Sequence, residues 1–235
     1  MSSETDISTV IKPLAMRDVF LNRIWQNMEN EKKIFFVSAD FGSPVLDKIR
    51  TDFPERFINV GIAEQNLINV TAGLALEGYK VFAYAIAPFI TMRCYEQIRV
   101  SLALLSEVRP MNVNLIGVGA GYSYVVSGPT HQCYEDITLM RCLPNFMVLS
   151  PSDHITASAL FDHCLGENGL RYFRFDAQVL PVVYKDSVPD IQKLHGQVQL
   201  PMLSRLRIYV QAQNPFHLFH QQSAERFYSL IYFHQ

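Results

Sequence analysis

Two short segments of this sequence place proton-carrying side chains where a ligand could meet them. The first, NVGIAEQN at 59–66, puts the carboxylate of Glu64 in the first turn of a predicted helix, directly after a predicted strand. An acid in that position is favoured by the helix dipole alone, by about 0.3–1 kcal/mol, and it is equally placed to give or take a proton at a strand end. The second, SGPTHQ at 127–132, sets His131 in a long polar loop. An imidazole there can move protons near neutral pH, or simply stand in water. A third segment, GVGAG at 117–121, follows a strand, but its spacing is not GxGxxG and no helical pattern follows at once, so it does not read as a dinucleotide site. His131 and Cys133 form an HxC pair with no second pair at metal spacing, so no zinc site is expected. Cys94, Cys133, Cys142 and Cys164 contain no CxxC and read as reduced thiols rather than a disulfide framework.

The elements that must hold these residues follow from periodicity. Met16, Phe20, Ile24 and Met28 recur every four residues, which predicts an amphipathic helix over 14–30. Strands are expected at 34–40, 57–61, 80–86, 112–118, 146–150 and 170–175, each a short run rich in β-formers. Between them lie predicted helices at 45–53, 63–77, 91–106, 134–142 and 153–165, with Gly78 closing the second of these. Several strands are apolar throughout instead of alternating, as strands covered on both faces are. The fold class is therefore α/β, a doubly wound and mostly parallel sheet with helices on both faces. Ligands of such sheets bind beyond the carboxyl ends of the strands, which directs attention to the loops at 40–44, 61–65, 87–91, 119–132 and 151–154 and to Asp176.

Composition narrows the class further. The chain has 235 residues and a formal net charge of −2, which argues against a basic nucleic-acid binder, and its 49% hydrophobic content is that of a globular protein. The N-terminus carries no apolar signal-like run, and the longest apolar stretch is short and broken by Pro88, so a cytoplasmic protein without a membrane span is expected. From 195 to 235 there are seven glutamines, four of the seven histidines and a single acid, Glu225. The strand–helix rhythm is lost there, so residues 1–190 read as one α/β domain and 191–235 as an atypical tail.

Six blocks, in order, resemble the pyrimidine-binding domain of transketolase-type thiamine diphosphate enzymes: SADFGSP (38–44), RFINVGIAEQN (56–66), AGLALEGYKVF (72–82), FITMRCYEQIR (89–99), GPTHQCYED (128–136) and RCLPNFMVLSPSD (141–153). The likeness extends to 1-deoxyxylulose-5-phosphate synthase and is greatest to separately encoded C-terminal transketolase subunits. It implies that Glu64 hydrogen-bonds N1′ of the cofactor's aminopyrimidine and so promotes the tautomer that removes the thiazolium proton. Burial suits that role, because it raises a carboxyl's proton affinity. Phe89 would stack on the pyrimidine, with Tyr95 and Asp40 nearby, while His131 would face the donor sugar and Arg174 a sugar phosphate.

The resemblance also marks departures. Where transketolases carry a histidine and an aspartate that touch the sugar, this chain has Gly119 and Ser127. The family's GDG…N magnesium and diphosphate motif is absent from this sequence, so a separate diphosphate-binding N-terminal subunit carrying Mg2+ is implied, within a heterotetramer in which this chain also pairs with itself. The α/β unit that the family carries next is expected to be missing or truncated after 190. The implied activity is transfer of a two-carbon ketol unit between sugars. The alternatives are a 1-deoxyxylulose-5-phosphate-synthase-like or 2-oxoacid-decarboxylating subunit, or an inactive partner-binding one.

Overall fold

The computed structural model describes residues 11–184, together with the backbone of 196–200 and 203–210. Six strands form a parallel sheet: β1 (Ile34–Ser38), β2 (Phe57–Asn59), β3 (Lys80–Ile86), β4 (Asn112–Val118), β5 (Phe146–Ser150) and β6 (Gly169–Phe175). Their order in space is β2-β1-β3-β4-β6-β5, as expected for a doubly wound sheet. The uninterrupted apolar runs have a direct cause, since the central strands β3, β4 and β6 bury both faces, whereas edge strand β2 is only half-buried. Phe36, Phe82, Tyr84, Ile116, Phe173 and Phe175 face a layer containing α1 (Met16–Met28), α2 (Pro44–Asp52) and α6 (His154–Leu160). Val37, Val81, Ala83, Val113, Leu115 and Tyr172 face the opposite layer, built on α3 (Glu64–Leu76) and the irregular helix that follows β3.

Packing fixes α1 on its side. Phe20 is fully buried, with ring centroids 4.5 Å from Phe173, 5.2 Å from Phe175 and 5.6 Å from Phe161. Burying one such ring stabilises the fold by about 1.5–3 kcal/mol. α2 starts where its sequence demands. Ser43 accepts from the Val45 amide at 3.3 Å, and Pro44 supplies the preset φ of a first helical residue.

Two expectations change. The single helix predicted over 91–106 is a π-helical turn, Phe89–Arg93, then α4 (Tyr95–Gln97), a second π segment, Ile98–Leu104, and a 3-10 turn, Leu105–Glu107. Side chains compete for its carbonyls. Thr91 Oγ1 donates to Ala87 O at 2.7 Å, Cys94 Sγ donates to Ile90 O at 2.8 Å, and Cys94 leaves helical geometry at φ −117°. Widened turns of this kind recur at functional sites. The helix predicted over 153–165 splits near Phe161 into α6 and α7 (Asp162–Gly166), with α5 (Asp136–Arg141) preceding β5. Within the atypical tail the structure describes two strands. β7 (Gly196–Leu200) and β8 (Leu203–Val210) are antiparallel to each other, and β8 runs parallel to β5, pairing Ile208 with Val148. Leu206, Ile208 and Val210 do carry a period of two, a strand signal that the unusual composition obscured. Among the described residues no helix is long and apolar enough to cross a membrane.

Candidate functional site

Of the candidate site residues, all but Tyr95 lie within a strand's carboxyl end or in the segment that follows one. Asp40 follows β1, Glu64 follows β2, Phe89 follows β3, His131 follows β4, and Arg174 is the penultimate residue of β6. The turn that delivers Glu64 is built by Asn59, whose Oδ1 accepts from the amides of Asp40 at 3.1 Å and Gly61 at 2.9 Å. Its Nδ2 donates back to Asp40 Oδ1 at 2.9 Å. Asp40, at φ 53°, thus clips the ends of β1 and β2 together, and an aspartate tolerates that left-handed backbone better than most residues. Its observed contacts are with this turn.

Glu64 opens α3 and is only 3% exposed. Arg93 Nη1 donates to its Oε2 at 2.8 Å. The same guanidinium lies over the Phe89 ring, with Cζ 4.3 Å from the centroid. The Phe89 ring in turn meets the His131 ring edge-on at 5.3 Å. Glu64, Arg93, Phe89 and His131 therefore form one continuous cluster of acid, cation, aromatic face and imidazole. Cys94 sits buried beneath it, and burial together with the Glu64 charge pushes its thiol up to about 12, so it stays protonated.

The loop carrying His131 is held by an antiparallel bridge between Gly121 and Cys133, with amide–carbonyl bonds of 2.7 and 3.0 Å. His131 Nδ1 shares a 2.9 Å hydrogen bond with Thr130 Oγ1. Inside this loop the Tyr124 ring packs over Gly119, and a Cβ at that glycine would lie 1.8 Å from Tyr124 Cε2. Tyr124 also meets His131 edge-on at 6.2 Å. The glycine-rich run thus serves close approach. At Gly117 a Cβ would come within 2.7 Å of the Tyr172 hydroxyl, which needs that space to reach its partner.

That partner is Asp136, fully buried in the first turn of α5. Its Oδ2 accepts from Tyr172 Oη at 2.9 Å and from Arg174 Nε at 2.7 Å. Burial pulls the Arg174 guanidinium down, but the Asp136 carboxylate and the Tyr172 phenol outweigh it and leave the group raised above its ordinary value. The Arg174 side chain is 10% exposed, so its observed partner is a buried acid. Tyr95 also stands apart from the Glu64 cluster. Its hydroxyl donates to Leu139 O at 3.1 Å, tying the irregular helix to α5, and its ring packs on the core.

Sequence reasoning assigned no role to Asn59, Arg93, Tyr124 or Asp136. Asn59, Arg93 and Asp136 lie inside the family-like blocks, but no spacing rule links Arg93 to Glu64, 29 positions away, or Asp136 to Arg174, 38 positions away. Around the cluster the loops expose apolar side chains, among them Ile62 at 77%, Tyr122 at 64%, Val125 at 74% and Val126 at 101%. Among the described residues no group of three or more His, Cys, Asp or Glu side chains converges as a metal site would require.

Comparison with known proteins agrees with this geometry. The profile of the family described as transketolase, pyrimidine binding domain, matches residues 12–182. The chain is 34% identical over 186 residues to a subunit of the apulose-4-phosphate transketolase of Actinobacillus succinogenes, covering 79% of this chain and 58% of that protein. It is 30% identical over 176 residues to a 6-deoxy-6-sulfo-D-fructose transketolase subunit of a Clostridium species, covering 74% and 53% respectively. A solved structure described as a split gene transketolase, an inactive beta4 tetramer, superimposes with a TM-score of 0.65 at 31% identity, covering 75% of this chain and 56% of that one. The chain thus spans about half the length of the curated relatives it matches.

Proposed function

The chain belongs to the family of transketolase pyrimidine-binding domains, and on that footing we propose that it is the pyrimidine-binding half of a two-subunit thiamine diphosphate enzyme. The reaction is transfer of a two-carbon ketol unit between sugars or sugar phosphates. The observation that carries this reading is the buried Glu64 carboxyl at the start of α3, joined through Arg93 to the face of Phe89. A dry carboxyl and an aromatic face suit a flat, basic heterocycle such as an aminopyrimidine. Glu64 would hold a proton at the ring nitrogen, and Phe89 would set the ring's plane. When bound, the cofactor supplies the stabilised carbanion that making and breaking a bond beside a carbonyl requires. The chain's own residues bind, orient and hold protons. His131, steadied by Thr130, would meet a sugar hydroxyl. Asp40 would serve by holding the turn before Glu64. Arg174 has Nε committed to Asp136, so its terminal nitrogens would meet a sugar phosphate. Tyr95 would serve the pocket indirectly, by tying the irregular helix to α5 through its bond to Leu139 O.

The exposed apolar rim of Ile62, Tyr122, Val125 and Val126 supports a partner that covers the site. That partner would be a separate diphosphate-binding subunit holding Mg2+, in a cytoplasmic heterotetramer where this chain also pairs with itself. The Tyr124 ring over Gly119 supports a substrate other than the usual pentose phosphates, because it fills the space a histidine at 119 would need.

The test is hydrogen–deuterium exchange at the thiazolium C2 in the chain assembled with such a subunit. Exchange is expected with the native chain and should fall by about 10²–10⁴ in Glu64→Gln, the range for loss of an acid–base group. Exchange at the native rate in Glu64→Gln would refute the assignment.

A further inference from the structure

We propose that Arg93 is a further residue of the pyrimidine seat, a placeholder whose guanidinium holds Glu64 and Phe89 in their binding arrangement until the aminopyrimidine takes its place. The inference rests on the function proposed above and adds a residue to it.

The guanidinium touches both groups that function assigns to the pyrimidine. Nη1 donates to Glu64 Oε2 at 2.8 Å, and Cζ stands 4.3 Å from the Phe89 centroid. A guanidinium is planar, charged and able to stack on an aromatic face while hydrogen-bonding at its edge. In those respects it copies a protonated aminopyrimidine. The same ring face and the same carboxyl oxygen cannot serve two planar partners at once.

Burial explains why a stand-in is useful. Glu64 is 3% exposed, and a buried carboxylate without a partner is costly. The Arg93 guanidinium offsets that cost before the cofactor arrives. Mobility is distributed to match. The Arg93 side chain is 45% exposed, so it can swing outward on its long stem, whereas Glu64 is held at the start of α3. The Arg93 backbone stays in place, because its carbonyl accepts from Gln65 Nε2 at 3.3 Å. The π-helical turn Phe89–Arg93 brings ring and guanidinium together within one widened turn.

Occupation of the seat by the chain itself lowers apparent cofactor affinity by the fraction of seats left empty. The test measures thiamine diphosphate binding, with Mg2+, by calorimetry on the full chain assembled with a diphosphate-binding subunit. Arg93→Ala should bind about fivefold or more tightly than the native chain, and Arg93→Lys, which keeps the charge but loses the planar stack, should fall between them. Thermal unfolding supplies a second readout. The unloaded Arg93→Ala assembly should melt below the native one, and the gap should close at saturating cofactor, because the cofactor then fills the seat in both and the native guanidinium no longer contributes there. Unchanged or weaker binding by Arg93→Ala, or a melting gap that persists at saturation, would overturn the placeholder role while leaving the function standing. Failure of the native and variant assemblies alike to bind the cofactor would overturn both.

Discussion

Replacing Asp136 with alanine removes the acceptor that Arg174 and Tyr172 share. Asp136 is fully buried, and its Oδ2 takes bonds of 2.7 Å from Arg174 Nε and 2.9 Å from Tyr172 Oη. Without it, Arg174 becomes a cation with a 10% exposed side chain and no facing acid, and the Tyr172 hydroxyl loses its acceptor. Breaking a buried pair from one side costs about 3–5 kcal/mol, mostly because the remaining charge is stranded. At this chain length each kcal/mol moves the thermal midpoint by about 2–4 °C, so Asp136→Ala should melt roughly 6–20 °C below the native chain. The charge is the cause in this account. Asp136→Ala combined with Arg174→Met should therefore recover much of the loss, since a well-packed apolar replacement of a buried pair is often neutral. Calorimetric or circular-dichroism melts of the four chains form a double-mutant cycle. A single-variant shift under about 2 °C, or a double variant no more stable than Asp136→Ala, would refute the reasoning.

Two further substitutions follow from geometry. Gly119→Ala places a Cβ 1.8 Å from Tyr124 Cε2 on a backbone at φ 84°, and should cost about 1–3 kcal/mol in urea unfolding. Adding Tyr124→Ala should remove the clash but leave the backbone strain, so full recovery in the double variant would contradict the account. For Asp153, burial alone would raise the carboxyl. Hydrogen bonds from the Thr156 amide and hydroxyl and from the Tyr184 and Val183 amides outweigh burial and hold it below its ordinary value of 3.8. A lowered folded-state value means that the contribution is present above 3.8 and is lost as pH falls through the folded value. Acid should therefore loosen residues 183–184, seen as lower protection of the Val183 and Tyr184 amides relative to unstructured amides at the same pH. Asp153→Asn should show that lower protection already at neutral pH, with little further change on acidification.

Local sequence determined a large part of this protein. The apolar runs at 80–86 and 112–118 could be stable only with both faces covered, and the regular return of helical periods between them set a doubly wound parallel sheet. Helix starts were equally local, as at Ser43-Pro44 before α2. The site's address also came from sequence, because sheets of this class leave their strand ends open to ligands. Glu64 and Phe89 could be singled out from blocks of neighbouring residues. What the tertiary structure alone decided is which distant groups meet. Arg93 on Glu64, Asp136 between Tyr172 and Arg174, and the Tyr124 ring over Gly119 each depend on side-chain directions set by packing. The π-helical turns after β3 belong with these, since Thr91 and Cys94 draw carbonyls out of the regular ladder only where the fold seats them. So does the pairing of β8 with β5, a partner some sixty positions away that no local periodicity names. Periodicity reports how one element meets apolar or polar surroundings. It carries no record of which residue of another element stands opposite, and in this protein the proposed chemistry lies in those oppositions.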